Sequence, residues 1–227
     1  AVVLEMGMRA AGEIALLSRV ANPDIAIITC IGWSHIGRLG SREAILEAKW
    51  EIVSGLRPGG LLIINGDDPL LVQAAATLSE EYRLAVVCTT SAGLSAARSL
   101  ARPVACVLTA GQVSATANQT AFSVQLMLPE QPHADAAAVT LPFPGQHHIR
   151  NTLFGLAAAW ALQQDLTASA GGAAACSFAG NRQRVIQAGG MTIMDDSYNA
   201  SPESIAAALE ALSVLAGDKG RKIAALG

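Results

Sequence analysis

The chain has 227 residues, of which 52% are hydrophobic and 15% charged, and its formal net charge is −3. This length allows one large core, or one domain and part of another. The slight negative charge argues against a nucleic-acid partner, and no apolar stretch is long enough to span a bilayer. The four cysteines have no metal-ligand spacing. They are typical of buried thiols in a reducing cytosol rather than of a disulfide framework.

The first ninety residues alternate between strand and helix patterns. The run at 25–30 shows no polar alternation, which is typical of a parallel strand covered on both faces. Ser41 is a predicted helix cap, and the apolar residues that follow it form one stripe. Asp67 and Asp68 are interpreted as caps of the next helix rather than as ligands. We predict strands at 1–5, 25–30, 61–65 and 84–90, and helices at 12–20, 41–54 and 68–78. The sequence therefore predicts an α/β fold with a mostly parallel sheet, flanking helices and right-handed crossovers.

The pattern changes after residue 100. Short strands separated by polar turns predict a small antiparallel appendage to the main sheet. We predict further strands at 104–109, 122–128, 137–141, 184–187, 191–195 and 222–226, and helices at 148–164, 169–179 and 202–214. The chain begins in one predicted strand and ends after another that lacks its crossover. We therefore expect a segment of a longer protein.

Three residues in the first fifty mark a candidate site. Glu5 ends the first predicted strand and His35 follows the second, so both should lie at the edge of a parallel sheet where α/β enzymes place their chemistry. Lys49 lies on the helix that follows. A carboxylate, an imidazole and an amine at one edge suggest a metal and phosphate site. Spacing alone also fits a helix-capping glutamate, a loop histidine and a surface lysine paired along its own helix.

Polar residues also group in two later segments. His147 and Asn151 lie where the long predicted helix begins. Asp196, Tyr198 and Asn199 follow the predicted strand at 191–195. A capped helix and a capped turn would use the same residue types, so both segments have a purely structural alternative.

Eight short motifs occur in a fixed order along the chain. They are Leu4-Glu5-Met6-Gly7, Gly12-Glu13-Ile14, Ile31-Gly32…His35, Ala48-Lys49…Glu51-Ile52, Asn65-Gly66-Asp67-Asp68, Pro144-Gly145-Gln146-His147…Asn151, Arg182 and Asp195-Asp196-Ser197-Tyr198-Asn199-Ala200-Ser201-Pro202. In order and spacing they resemble the Mur ligases of peptidoglycan synthesis, and the MurF type in particular. His148 departs from the family pattern, which has asparagine directly after the histidine.

The resemblance implies roles for individual residues. Glu5, His35 and Lys49 would bind magnesium, with two ions and a carbamylated lysine, because a carbamate is an anionic oxygen ligand. Lys49, His35 and Arg182 would be catalytic, with Arg182 rather than Arg184 on the transferred phosphoryl group. The implied nucleotide contacts are Asn151, His147, Arg182, Asp196, Tyr198 and Asn199.

The resemblance also implies a domain organisation and a reaction. Residues 1–182 would form a central ATP-binding ligase domain without its N-terminal part, and 183–227 the beginning of a Rossmann-like domain. With ATP and Mg²⁺, the enzyme would add D-alanyl-D-alanine to UDP-N-acetylmuramoyl-tripeptide through an acyl phosphate, as a cytoplasmic monomer.

The sequence contains no Gly-x₄-Gly-Lys-Ser/Thr motif, so this segment alone is expected to be inactive. Gly-x-Gly-x-x-Gly after a strand and Gly-x-Ser-x-Gly are also missing, which argues against a dinucleotide fold and a serine hydrolase. Two alternatives stay open. One is another ligase of the superfamily, such as a folylpolyglutamate synthetase, and the other is a non-catalytic nucleotide-binding or scaffold relative.

Overall fold

The chain forms one large sheet with helices on both faces, followed by a small hairpin and a helix. The computed structural model describes residues 1–116, 119–131, 136–143, 145, 147–176, 184–216 and 220–226. The strands are β1 (Ile25–Ile28), β2 (Leu61–Asn65), β3 (Arg83–Cys88), β4 (Cys106–Ala115), β5 (Thr120–Met127), β6 (Ala136–Leu141), β7 (Arg184–Ala188) and β8 (Met191–Asp195). The helices are α1 (Glu13–Ala21), α2 (Ile36–Leu39), α3 (Arg42–Trp50), α4 (Pro69–Ala75), α5 (Ser91–Arg98), α6 (His147–Ala161), α7 (Leu166–Ala174) and α8 (Pro202–Ala216), and a 3₁₀ turn at Glu51–Gly55 extends α3.

The large sheet has its six strands in sequence order, β1 to β6. The first four strands are parallel. Strands β5 and β6 extend the sheet in antiparallel fashion, and β7 and β8 form a separate antiparallel pair. The predicted α/β class, with a mostly parallel sheet and an antiparallel appendage, is confirmed.

Two hydrophobic cores lie on opposite faces of the sheet, and β2 contributes to both. Leu61 and Ile63 pack in the core that includes α6 and α7. Leu62 and Ile64 pack in the core that includes α1, α3, α4 and α5. Successive side chains of a strand point to opposite faces, so a strand covered on both sides must be apolar throughout. All five residues of β2 are buried.

Two predicted strands are wrong. Residues 1–5 and 222–226 have no strand structure. Val2 and Val3 are 85% and 95% exposed, so this apolar segment neither pairs with β1 nor packs on a core. A strand without a hydrogen-bonded neighbour is not stable in water, whatever its β propensity. The premise that placed Glu5 at the end of a strand therefore fails.

Helix ends follow their predicted caps. The Ser41 hydroxyl accepts a hydrogen bond from the Ala44 amide at 3.1 Å and begins α3. A carboxylate oxygen of Asp68 accepts from Leu70 N at 3.1 Å and begins α4, whose first residue is Pro69. Among the described residues, no helix is long and apolar enough to cross a membrane.

Candidate functional site

Lys49 lies at the carboxyl end of β1. Its ammonium group donates a hydrogen bond to the Cys30 carbonyl at 2.7 Å. The residue occupies the last turn of α3, one position after Ala48, which is buried and anchors that helix in the core. Lys49 itself is partly buried. The sequence predicts the lysine at the edge of the sheet where the parallel strands end, and this geometry agrees with that location.

The loop after β1 is held by side chains from two helix starts. Ile31 is 1% exposed, and its amide donates to a carboxylate oxygen of Asp68 at 2.7 Å. Its carbonyl accepts from the Arg42 guanidinium at 3.1 and 2.7 Å. Arg42 and Asp68 also approach each other to 3.8 Å, with Asp68 only 6% exposed. Both polar groups of a buried residue are therefore satisfied by charged partners, which fixes the backbone at this point.

The same loop contacts α8. The Trp33 amide donates to the Glu203 carboxylate at 2.8 Å. The Arg42 guanidinium lies over the Trp33 indole, 5.6 Å from the ring centroid, within the range of a cation–π interaction.

His35 follows immediately and opens α2. It has a left-handed backbone, with φ of 68°, and its carbonyl accepts from the Arg38 and Leu39 amides at 2.9 and 3.0 Å. Histidine is among the few residue types that are enriched in this conformation. The side chain is exposed, five residues beyond the carbonyl that Lys49 binds.

Glu5 is the third member of the predicted magnesium-binding set. It is exposed and makes no hydrogen bond or ion pair within the described part of the chain. In the described ranges no three His, Cys, Asp or Glu side chains are grouped as a metal-binding set, and the predicted set contains only two such residues beside Lys49. The structure therefore brings Lys49 to the loop that leads to His35, while the meeting of all three remains a prediction.

The beginning of α6 contains an aromatic stack. The rings of His147 and His148 lie 3.8 Å apart between centroids, and the Phe143 ring meets His148 edge-on at 4.7 Å. Burial, followed by the charges of His148 and Arg150, lowers the pKa of His147 to about 4. A neutral imidazole keeps one nitrogen that accepts hydrogen bonds, so His147 can act as an acceptor near neutral pH.

A cavity of about 430 Å³ adjoins this stack. Asn151 is exposed at its wall, and the lining also includes apolar side chains such as Leu141, Phe143 and Leu156. The cavity therefore combines an amide that can donate and accept with apolar surface. That combination suits a planar heterocyclic base.

The turn between β8 and α8 contains the other predicted nucleotide residues. Asp195 accepts from the Ser197 hydroxyl at 2.7 Å and from the Ser197 amide at 3.1 Å, and these bonds lower the pKa of Asp195. Asp196 is partly buried, and Tyr198 is 67% exposed. Asn199 accepts from the next amide at 2.9 Å.

Ser201 begins α8. Its hydroxyl accepts from the Ser204 amide at 3.2 Å, so Ser201 caps this helix. Arg182 lies outside the described residues, and the alternative, Arg184, is exposed on β7.

Three residues of the site escaped sequence reasoning. Arg42 and Glu203 lie in helical first turns, where charged residues are ordinary, and Asp68 was predicted only as a cap. Their loop contacts span 11, 170 and 37 residues along the chain. The only local signal was the capping pattern around Asp68-Pro69, and it does not reveal the second hydrogen bond.

Comparison with known proteins places this geometry in a family. Residues 1–159 match the Mur ligase middle domain. The chain is 36% identical over 226 residues to the UDP-N-acetylmuramoyl-tripeptide–D-alanyl-D-alanine ligase of Bacillus subtilis, covering 99% of this chain and 44% of that protein. It is 30% identical to the Escherichia coli enzyme of the same name, covering 95% of this chain and 44% of that protein.

A solved structure agrees. The MurF crystal structure from Acinetobacter baumannii superimposes with a TM-score of 0.75 and 27% identity, over 92% of this chain and 42% of that one. The chain thus spans less than half the length of each of these relatives. The sequence resemblance is confirmed by a family match over 159 of 227 residues, and the chain belongs to the Mur ligase family.

Proposed function

We propose that the natural full-length protein containing this chain is an ATP-dependent ligase that joins D-alanyl-D-alanine to UDP-N-acetylmuramoyl-tripeptide. The observation that carries the proposal is the Lys49 amine, held 2.7 Å from the Cys30 carbonyl at the carboxyl end of β1. Relatives named for this activity are 36% and 31% identical over 99% and 94% of the chain. We also propose a cytoplasmic monomer.

The position of Lys49 fits the proposed carbamate. An uncharged lysine amine that attacks carbon dioxide forms one N–C bond and loses one proton, leaving an anionic carbamate that still has one N–H. That N–H can keep the hydrogen bond to Cys30, so modification needs no rearrangement of β1. The new oxygens would hold magnesium together with His35 and Glu5, and the ion would neutralise charge on the transferred phosphoryl group.

The reaction follows from these groups. The γ-phosphoryl group of ATP moves to the terminal carboxylate of the tripeptide, which gives an acyl phosphate and ADP. The D-alanyl-D-alanine amine attacks the acyl carbon, phosphate leaves with the C–O electron pair, and the amine loses one proton. Arg182 would bind the transferred phosphoryl group. Positioning and charge stabilisation by the protein would supply most of the rate.

The nucleoside would bind between α6 and the β8–α8 turn. Asn151 and the apolar side chains of the cavity beside α6 and α7 would hold the base. His147, which does not line that cavity, would offer a neutral acceptor at the start of α6. Asp196 would hold the ribose, with Tyr198 and Asn199 lining the same turn. This arrangement would put the boundary between a central domain, 1–182, and a C-terminal domain, 183–227, beside the nucleotide. The separation of the β7–β8 pair from the large sheet supports this domain boundary.

The test is Lys49→Ala in the natural full-length protein. We expect kcat to fall about 100-fold, as when one charge-stabilising group is removed, and a short-chain carboxylic acid to restore part of the activity. Lys222→Ala is the matched control, because Lys222 is exposed and, among the described residues, contacts only Ser213, at 3.2 Å. ADP release that requires both tripeptide and D-alanyl-D-alanine is the assay.

Three results would contradict the proposal. Unchanged activity of Lys49→Ala would show that the lysine has no role in the reaction. A wild-type protein that uses glutamate instead of D-alanyl-D-alanine would be a ligase of another type, and one that does not bind Mg-ATP would be a scaffold.

A further inference from the structure

The backbone between β1 and α2 is held by four side chains in succession. Cys30 O accepts from Lys49, Ile31 N donates to Asp68, and Ile31 O accepts from Arg42. In the fourth contact, Trp33 N donates to the carboxylate of Glu203, a residue of α8. The first three partners come from the two helices packed beside the loop. The fourth comes from a helix that follows the separate hairpin.

The fourth partner, Glu203, is well suited to an acceptor role. It lies in the first turn of α8, where the helix dipole favours a carboxylate. Partial burial acts to raise its pKa, but its own backbone amide, the Trp33 amide, Ser201 and Arg42 together lower the pKa of Glu203 below the usual value. The side chain is therefore ionised near neutral pH, and hydrogen bonds to an ionised acceptor are the stronger kind.

The approach of the two segments is close. A Cβ placed on Gly32 would lie 2.8 Å from a carboxylate oxygen of Glu203. A larger residue at this position would therefore require the Glu203 side chain to shift. The same carboxylate oxygen accepts from the Trp33 amide, so the close approach and the hydrogen bond together describe α8 docked on the loop.

We propose that Glu203 is a positioning residue, which couples the docking of α8 to the conformation of the loop that leads to His35. The consequence rests on the proposed function, because His35 belongs to the proposed magnesium site. Trp33 precedes His35 by two residues, and its amide is the last backbone group of the loop bound by a side chain before α2 begins. Without Glu203, Trp33 loses its hydrogen bond to α8, while its cation–π contact with Arg42 and the backbone hydrogen bonds into α2 remain.

The direct test measures amide hydrogen exchange at Trp33 in the 227-residue chain. Glu203→Ala should speed exchange at this amide by about tenfold or more, since the charged acceptor is lost. Glu203→Gln keeps an acceptor oxygen and should stay within about threefold of wild type. Glu210→Ala is the matched control, because Glu210 is an exposed glutamate of the same helix. Equal exchange in Glu203→Ala and wild type would overturn the proposal.

The second test is kinetic and uses the natural full-length protein. Glu203→Ala should lower kcat about tenfold, as expected for a misplaced catalytic loop, with KM for D-alanyl-D-alanine unchanged. Glu203→Gln should recover most of kcat, which a loss of folding stability would not allow. An unaltered kcat in Glu203→Ala, despite faster Trp33 exchange, would overturn the positioning role. A wild-type protein without ligase activity would instead refute the proposed function, and Trp33 exchange would still decide whether Glu203 holds the loop.

Discussion

Asp68 is the residue whose removal should reveal how the loop after β1 is stabilised. It is 6% exposed, and its carboxylate accepts from Ile31 N and Leu70 N while lying 3.8 Å from Arg42. Asp68→Ala removes a helix cap, worth about 1 kcal/mol, and a buried hydrogen bond to a charged acceptor, worth about 2 kcal/mol. Because these losses share one side chain, we expect a total of about 2–3 kcal/mol, at or somewhat below the simple sum.

Urea unfolding of the 227-residue chain, followed by circular dichroism, measures this loss. Asp68→Asn keeps one acceptor oxygen and should lose about half as much. Asp24→Ala is the control, since its ion pair with Arg57 is exposed and should contribute less than about 1 kcal/mol. A loss below about 1 kcal/mol in Asp68→Ala, with unchanged denaturant slope, would refute the view that Asp68 anchors the loop.

Two further stability predictions follow from other polar contacts. Glu51 accepts from Gly12 N at 2.6 Å and Ala15 N at 3.1 Å, so Glu51→Ala should cost about 1–2 kcal/mol and speed amide exchange in α1, whereas Glu51→Gln should lose less. The lowered pKa of His147, about 4, means that the unfolded chain binds this proton more readily, so the stability contribution is intact above about pH 6.5 and is lost as the pH falls toward 4. Between pH 7 and 5 the free energy of unfolding should fall by about 2 kcal/mol through this group. In His147→Gln the free energy of unfolding, measured in urea, should depend correspondingly less on pH. An equal pH dependence in the variant and the wild type would contradict the assignment.

The parts of the fold predicted correctly are those with strong local signals. Strand β2 matches its predicted range because its first four residues are a continuous apolar run, which is typical of a strand buried on both faces. Helices α2 and α5 escaped prediction, since α2 has one turn and α5 is a short helix of mostly small residues. The strand predicted at 1–5 had the right composition. Composition cannot supply the neighbouring strand that a β-strand needs.

The residues of the candidate site also differ in how well the sequence predicts their positions. The position of Lys49 could be predicted because it depends on one helix that follows one strand. The contacts of Asp68 and Glu203 could not, because each joins segments far apart in the chain, and each residue already has an ordinary local role at a helix start. Sequence patterns identify the residue types for a reaction, whereas the side chains that fix a loop depend on how the helices pack.

The substitutions of Lys49, Asp68 and Glu203 should therefore affect different properties: the chemistry, the stability and the order of the loop. Lys49→Ala removes a group proposed to take part in the chemistry, and an external carboxylate can replace part of it. Asp68→Ala removes an anchor that the folded chain and the loop share, so stability and loop order should change together. Glu203→Ala removes a contact at the exposed side of the loop, where little apolar surface is lost, so loop order should change with little effect on the free energy of unfolding. If Glu203→Ala instead destabilised the chain as much as Asp68→Ala, α8 would be an integral part of the fold, and the loop could not respond to its docking separately.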